Sequence, residues 1–530
     1  MSHLSPQPDY IPTAGSIDEE GLLVGWSLEH EQRKTRPGFL NGSDNQKPDS
    51  LKPILYRDAG HLMTIASTGA GKGVGCIIPA LLRHPGPVVI IDPKGENYAV
   101  TARARKEMGQ QVILLDPFGA TGDEADQFNP LDLVVEFEGS EIEQCRMLAE
   151  MIIVPNPDSR DPFWDKTSEY LVAGLLLHIA ASRPPALRNL GELRYLLNLG
   201  MDDLDNELKG MMNCGISEVE TAARSIDSME PKVRASVLST ARYHTNFIAG
   251  TGISSALSRT SFDLEAVIQG KPLSIYIVIP PEKLDTSAQL LRLWIGSLLN
   301  LILMRRSAPS LRTLFILDEA AQLGNLSLLT RAITLLRGYG LQTWSFWQDL
   351  SQLQTLYPNW ETLYNNCRVH QNFGITNAYF ARKIATITDY PDAHEILTLD
   401  NDEMLLQVAG DEAVIAQLPN YLTDPVFAGK ADENPFHSKE DDDALAPMRA
   451  QRRYRRRSDH EFQKLSETEA LRRELKEAIE TARKATEEAQ KARKELQKFQ
   501  NRDPAQPLSD EAVLELFRRK ARMDQSEEET

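Results

Sequence analysis

The chain has 530 residues, 41% hydrophobic and 25% charged, with a formal net charge of -18. That is enough for a large core and two or three domains, and an acidic whole speaks against a protein that coats nucleic acid through bulk charge. Four scattered cysteines, Cys76, Cys145, Cys214 and Cys367, form no CxxC pair, which argues against a zinc site or disulfide framework and fits a reducing compartment.

The N-terminus lacks the basic flank and apolar centre of a signal peptide. Residues 1–55 are polar and rich in Pro and Gly, with "GLLVGWSL" as one strand candidate. An alternation of apolar strands and helical stretches then begins. "HLMTIAS" leads through a Gly loop into "KGVGCIIPALLRH", "GPVVIID" into "PKGENYAVTARARKEMG", and "QQVILLDP" follows. This pattern predicts a parallel sheet with helices on both faces.

From about 139 to 260 no convincing strand occurs. "SEIEQCRMLAEMII", "DKTSEYLVAGLLLHIAAS", "LGELRYLLNLG" and "VRASVLSTARYHTNF" carry helical spacing. Strands resume with "LSIYIVIP", "RTLFILDEA", "LQTWSFWQ" and "CRVHQNFGI", and a hairpin is predicted over 404–418, turning at Gly410-Asp411. The apolar runs 171–181 and 293–304 fall short of the roughly 20 residues a spanning helix needs and read as buried helices. After about 430 come "HSKEDDD" and "RAQRRYRRR", read as linker. "SETE" (466–469) opens a long helix with a capping box. Leu471, Leu475, Ala478, Ala482, Ala485, Ala489, Ala492, Leu496 and Phe499 give it an a/d seam.

The organisation expected is an α/β, RecA-like P-loop domain with an inserted all-α domain and a C-terminal helical, coiled-coil tail. Its parts are an N-terminal segment 1–55, a nucleotide-binding domain 56–138 and 261–430, a helical insert 139–260, and a tail 431–530.

Ser67, Thr68, Gly69, Ala70, Gly71, Lys72, Gly73 and Val74 form a glycine-rich loop between a strand and a helix. There backbone N–H groups and the helix N-terminus cradle phosphates, and Lys72 reaches the β and γ oxygens. Gly73 stands where a hydroxyl usually meets Mg²⁺, so water or another side chain, such as Thr68, must fill that place. Asp318-Glu319 end the apolar run Leu314–Leu317: Asp318 suits Mg²⁺, directly or through water, and Glu319 suits polarisation of the attacking water. Gln348 ends the strand "LQTWSFWQ", where its amide would sense the γ-phosphate. Arg337 is a candidate finger for a neighbouring subunit's phosphate, with Arg368 and Arg382 as weaker candidates. Asp92, after "VVIID", either lines the site, touching the metal shell or holding Lys94, or serves simple turn chemistry.

The pieces "HLMTIASTGAGKGVGCIIPALL", "VVIIDPKGE", "GQQVILLDPFG", "FNPLDL", "DPFWDKTSEYLVAGLLLHI", "LSIYIVIPPEKL", "LFILDEAAQLG", "WSFWQDLSQLQTLYP" and "NNCRVHQNFG" occur in order over roughly residues 55–430. Together they resemble the TraG-type coupling proteins of conjugative type IV secretion systems, relatives of the FtsK and HerA translocases. In that resemblance Gly73 is a family trait. It implies ATP and Mg²⁺ as cofactors, a homo-hexamer hydrolysing ATP at subunit interfaces, and a helical insert that chooses cargo. The cargo implied is a relaxase bound to single-stranded DNA, or a protein effector, passed to secretion-channel components. Members usually carry N-terminal membrane-spanning helices; none is read here, so a cytoplasmic place is expected, or one at the inner membrane through an anchoring partner. The rival readings are a soluble FtsK/HerA-like DNA translocase, a receptor for protein cargo only, and a scaffold with a degenerate nucleotide site.

Overall fold

The computed structural model describes residues 20–28, 51–137, 139–155, 162–436 and 472–491, with residue 494 and parts of 509–518. The chain forms two compact units, Met1–Arg449 and Ala450–Thr530. In the first, β1 (Leu22–Ser27), β2 (Lys52–Tyr56), β3 (His61–Ala66), β4 (Val88–Ile91), β5 (Gln111–Leu115), β6 (Leu273–Ile277), β7 (Thr313–Leu317), β8 (Leu341–Trp347), β9 (Cys367–Phe373), β10 (Glu403–Val408) and β11 (Val414–Gln417) make one 11-stranded sheet. Its order is β2-β1-β11-β10-β9-β3-β8-β7-β4-β6-β5. From β9 to β5 every pairing is parallel, and from β9 to β2 every pairing is antiparallel.

The parallel part follows from composition. "VVII", "TLFIL" and "LQTWSFW" are buried at every position, as strands covered on both faces must be. Alternate residues divide between two cores. Leu62, Ile90, Leu314, Ile316, Trp344 and Phe346 face Ile77, Ala80 and Leu81 of the helical stretch after the Gly loop. Met63, Ile65, Val89, Ile91, Phe315 and Leu317 face the other way, into a core that continues unbroken through the helices of 141–256.

Between β5 and β6 the described residues contain no strand and carry the helices Glu141–Ile152, Phe163–Ser182, Leu190–Leu197, Met201–Met211, Ser217–Asp227 and Pro231–His244. Phe163–Ser182 is central, touching Glu141–Ile152, Ser217–Asp227 and Pro231–His244. Arg183 bonds Glu192 and Glu207 at 2.8 Å each, and His178 meets Glu207 at 2.8 Å. Met201–Met211 and Ser217–Asp227 escape the sequence reading because each carries only a narrow apolar stripe, such as Leu204, Leu208 and Met211. Among the described residues one helix, Pro281–Leu303, is long and apolar enough to cross a membrane, and most of it is buried in the fold.

Two differences stand out. The strand β2 was not anticipated: "KPILY" is only partly buried and contains Pro53, which an edge strand tolerates because it has a free side. The hairpin turns one residue early, with Ala409 (φ 55°) and Gly410 (φ 90°) as its left-handed pair. In the second unit residues 472–491 are helical, and Leu475, Ala478, Ala482, Ala485 and Ala489 are exposed on it. Leu471, Ala492, Leu496 and Phe499, the capping box and the stretch 437–457 lie outside the described residues.

Candidate nucleotide site

Parallel strands place their carboxyl ends at one edge, and ligands in such sheets gather there. The order β9-β3-β8-β7-β4 lines up Gly374, the Ser67–Gly73 loop, Gln348, Asp318-Glu319 and Asp92 along that edge. The register is tight: Ile65 pairs with Trp347, Leu317 with Ser345, and Ile91 with Leu317. Thus β8 separates the loop strand from the acidic strand, and Gln348 sits between them.

Gly69 (φ 77°) and Gly71 (φ 92°) turn the loop through left-handed backbone, which glycine adopts at little cost. A Cβ added at Gly69, Gly71 or Gly73 would meet nothing within 4 Å, so the loop encloses open space. Ser67 Oγ donates to the Gly374 carbonyl at 2.7 Å, tying the loop to the end of β9. A Cβ at Gly374 would lie 2.4 Å from that of Ala70. Beneath the loop, Thr64 Oγ1 donates to Gln371 Oε1 at 2.7 Å and accepts from Trp344 Nε1 at 2.8 Å. Neither Gly374 nor Gln371 was anticipated as part of the site; only the three-dimensional pairing of β9 with β3 reveals them.

Lys72 opens the helical stretch Gly73–Ile77. Its Nζ lies 3.4 Å from Glu319 Oε1, with the two side chains 10% and 21% exposed. Gln348 Nε2 donates to the other oxygen, Glu319 Oε2, at 2.9 Å. Glu319 itself is left-handed (φ 58°). For a residue with a Cβ that costs about 1–2 kcal/mol, a strain found mostly at functional positions.

Asp318 Oδ1 is buried and has no hydrogen-bond partner. Burial raises its carboxyl to about 6, against the pull of Lys72 and with Glu319 adding to the rise. Asp92 is 1% exposed and accepts from Tyr98 N–H at 2.8 Å and Asn97 Nδ2 at 3.3 Å. Burial raises it to about 7. Two such carboxyls beside a lysine suit a triphosphate carrying a divalent cation: Lys72 for phosphate oxygens, Asp318 for the metal.

Arg337 lies elsewhere. It precedes β8, at the amino end of the strands, and binds Asp58 at 2.6 Å just before β3. Within one chain it is therefore at the sheet edge opposite Lys72. Arg368, at the start of β9, shares that edge. Arg382 sits on Ala378–Thr388, its Nε donating to the Ala378 carbonyl at 3.3 Å. Thr68 is exposed on the loop.

The family model for type IV secretory system conjugative DNA transfer matches residues 12–388. The chain belongs to this family. A conjugal transfer protein TraG of Escherichia coli is 27% identical over 373 residues, which is 66% of this chain and 58% of that protein. A second E. coli TraG is 25% identical over 472 residues, 75% of this chain and 72% of the relative. Protein VirD4 of Rhizobium radiobacter is 30% identical over 315 residues, 56% and 43% of the two chains. The chain thus spans between about two fifths and three quarters of these relatives. Among solved structures, the unbound conjugative coupling protein TrwBΔN70 superposes with a TM-score of 0.55 at 18% identity, over 68% of this chain and 85% of that one. TrwB with ADP and Mg²⁺ gives 0.55 at 19%, over 69% and 87%. The family member described here therefore has the RecA-like P-loop fold expected.

Proposed function

We propose that this chain is the ATP-hydrolysing coupling motor of a conjugative type IV secretion system. The observation that carries the reading is one hydrogen-bonded line, Lys72–Glu319–Gln348, at the strand ends, beside the orphaned oxygen of Asp318. In this reading the loop 67–74 and Lys72 hold the phosphates, and Asp318 holds Mg²⁺, which neutralises charge on the transferring phosphoryl group. Glu319 takes the proton of the attacking water, and Gln348 orients it. Arg337, at the edge opposite Lys72, serves the site of a neighbouring subunit in a homo-hexamer.

Family membership supports DNA transfer as the task, with a relaxase bound to single-stranded DNA, or a protein effector, as cargo for the channel. The helical segment 139–260 is the proposed cargo reader, inserted into a nucleotide-binding domain formed by 56–138 and 261–430. We place the motor on the cytoplasmic side, at the inner membrane through a partner.

The test is steady-state ATPase of the purified protein against Lys72→Ala, alone and with single- or double-stranded DNA at low and moderate salt. Lys72-dependent turnover stimulated by single-stranded DNA is expected. Turnover equal to that of Lys72→Ala would refute the motor, and stimulation by duplex alone would move the reading to a translocase. Indifference to DNA would move it to a receptor for protein cargo.

A further inference from the structure

Gly73 leaves a chemical vacancy in the proposed nucleotide site: a loop of this type needs an oxygen on the metal there, and glycine has none. The hydroxyls nearby are committed or remote. Ser67 Oγ donates to the Gly374 carbonyl, Thr64 Oγ1 lies in the buried network with Gln371 and Trp344, and Thr68 faces solvent.

A carboxylate is better placed. Ile91 pairs with Leu317 in parallel register, so Asp92 and Asp318, each the next residue, leave adjacent strands side by side. Neighbouring strands are about 4.8 Å apart. Asp92 accepts one hydrogen bond on each oxygen. An ionised carboxylate offers about four acceptor positions, so acceptor capacity remains beyond these two bonds.

Nor is Asp92 held by its neighbour Lys94. That ammonium lies over the Phe436 ring, 5.8 Å from its centre, and among the described residues no ion pair joins it to Asp92. Two carboxyls held this close are costly to ionise together and call for more positive charge than Lys72 alone supplies. One of them, Asp318, has an oxygen with no hydrogen-bond partner.

We propose that Asp92, with Asp318, holds the water shell of the divalent cation and so supplies the protein oxygen that Gly73 lacks. The inference rests on the nucleotide reading above and adds a residue to it. A helix cap alone, with Asp92 serving only the Tyr98 N–H, is the competing account.

The experiment is Mn²⁺ titration of the full chain loaded with a non-hydrolysable ATP analogue, read by the electron paramagnetic resonance of free Mn²⁺. Binding of a fluorescent nucleotide in EDTA is measured alongside. Asp92→Asn keeps an acceptor for Tyr98 and is expected to weaken Mn²⁺ about 10- to 100-fold without weakening metal-free nucleotide binding. Gly73→Ser restores the missing hydroxyl at a position where an added Cβ meets nothing within 4 Å. In the Asp92→Asn background it is expected to recover most of the lost Mn²⁺ affinity, a rescue no helix cap would respond to. Unchanged Mn²⁺ affinity in Asp92→Asn would overturn the inference alone. So would a loss that Gly73→Ser does not recover, or one matched by lost nucleotide binding in EDTA. A wild-type chain that binds no nucleotide would overturn the nucleotide reading and this inference with it.

Discussion

Glu319→Gln probes the resting contact between Lys72, the proposed phosphate ligand, and Glu319, the proposed base. In the structure Lys72 Nζ stands 3.4 Å from Glu319 Oε1, and both side chains are largely covered. At an effective dielectric of about 20, two unit charges at that separation attract by about 5 kcal/mol. Desolvation cancels most of this, leaving about 1–2 kcal/mol for a partly exposed pair. Lys72 must give up that contact to reach a phosphate. Glutamine keeps the shape and can still accept from Gln348 Nε2, but it does not hold the ammonium. The neutral amide also has no basic lone pair with which to abstract a proton. Two effects are expected together: hydrolysis falls by about 10²-fold or more, and ATP binds about tenfold tighter. Fluorescent-nucleotide titration and a phosphate-release assay on the same preparation measure both. Hydrolysis retained would remove Glu319 from the base role. Hydrolysis lost with affinity unchanged would show that the lysine contact contributes nothing to the resting state.

Gly374→Ala should damage the loop from outside it. Its Cβ would sit 2.4 Å from Ala70 Cβ at a φ of 65°, so a loss of about 2–4 kcal/mol in stability and at least tenfold in nucleotide affinity is expected by denaturant unfolding and titration. Arg337→Ala should bind nucleotide like wild type, because Arg337 lies at the edge opposite Lys72, yet hydrolyse poorly. Mixing it with Glu319→Gln subunits should restore activity at interfaces that combine a good site with a good arginine; no recovery at any mixing ratio would refute action between subunits. Asp424 accepts from Trp26 Nε1 at 2.8 Å, and burial raises its carboxyl to about 6. A raised carboxyl contributes stability that is full below its unfolded value near 3.8 and is lost as pH rises through about 6. Asp424→Asn should therefore flatten the fall in stability between about pH 4 and 6 by roughly 1–3 kcal/mol, read by urea unfolding.

The parallel strands were legible because burial on both faces demands unbroken apolar runs, and β4, β7 and β8 have them. The edge strand β2 was not, since half-burial and Pro53 leave no period to read. Asp318, Glu319 and Gln348 could be picked out in the sequence because they follow the ends of apolar strands, and Lys72 because it closes a glycine-rich loop before a helical stretch. What pattern alone could not give was adjacency. That β9 lies against β3, bringing Gly374 under Ala70, depends on strand order. So does the pairing of β4 with β7, which sets Asp92 beside Asp318 and turns an ambiguous turn residue into a candidate metal partner. Arg337 shows the converse: its spacing before β8 marks it as notable, but only strand polarity puts it at the far edge.

The position of β8 has a mechanical consequence. Among the described strands it alone pairs with both β3 and β7, and Gln348 leaves its end already bonded to Glu319. The Gln348 backbone N–H also donates to Gln352 Oε1 at 2.9 Å, inside the helix Leu350–Leu356, whose N-terminus Asp349 caps. In the proposed mechanism Lys72 leaves Glu319 for a phosphate, and the Gln348 bond to Glu319 then links the carboxylate to β8 and the helix that follows it. Trp347, 2% exposed, packs edge-on to Tyr357 at 6.2 Å at that junction. The loop strand and the acidic strand both adjoin this path without touching each other. The proposed sensing role of Gln348 fits this placement, since its strand lies between the two.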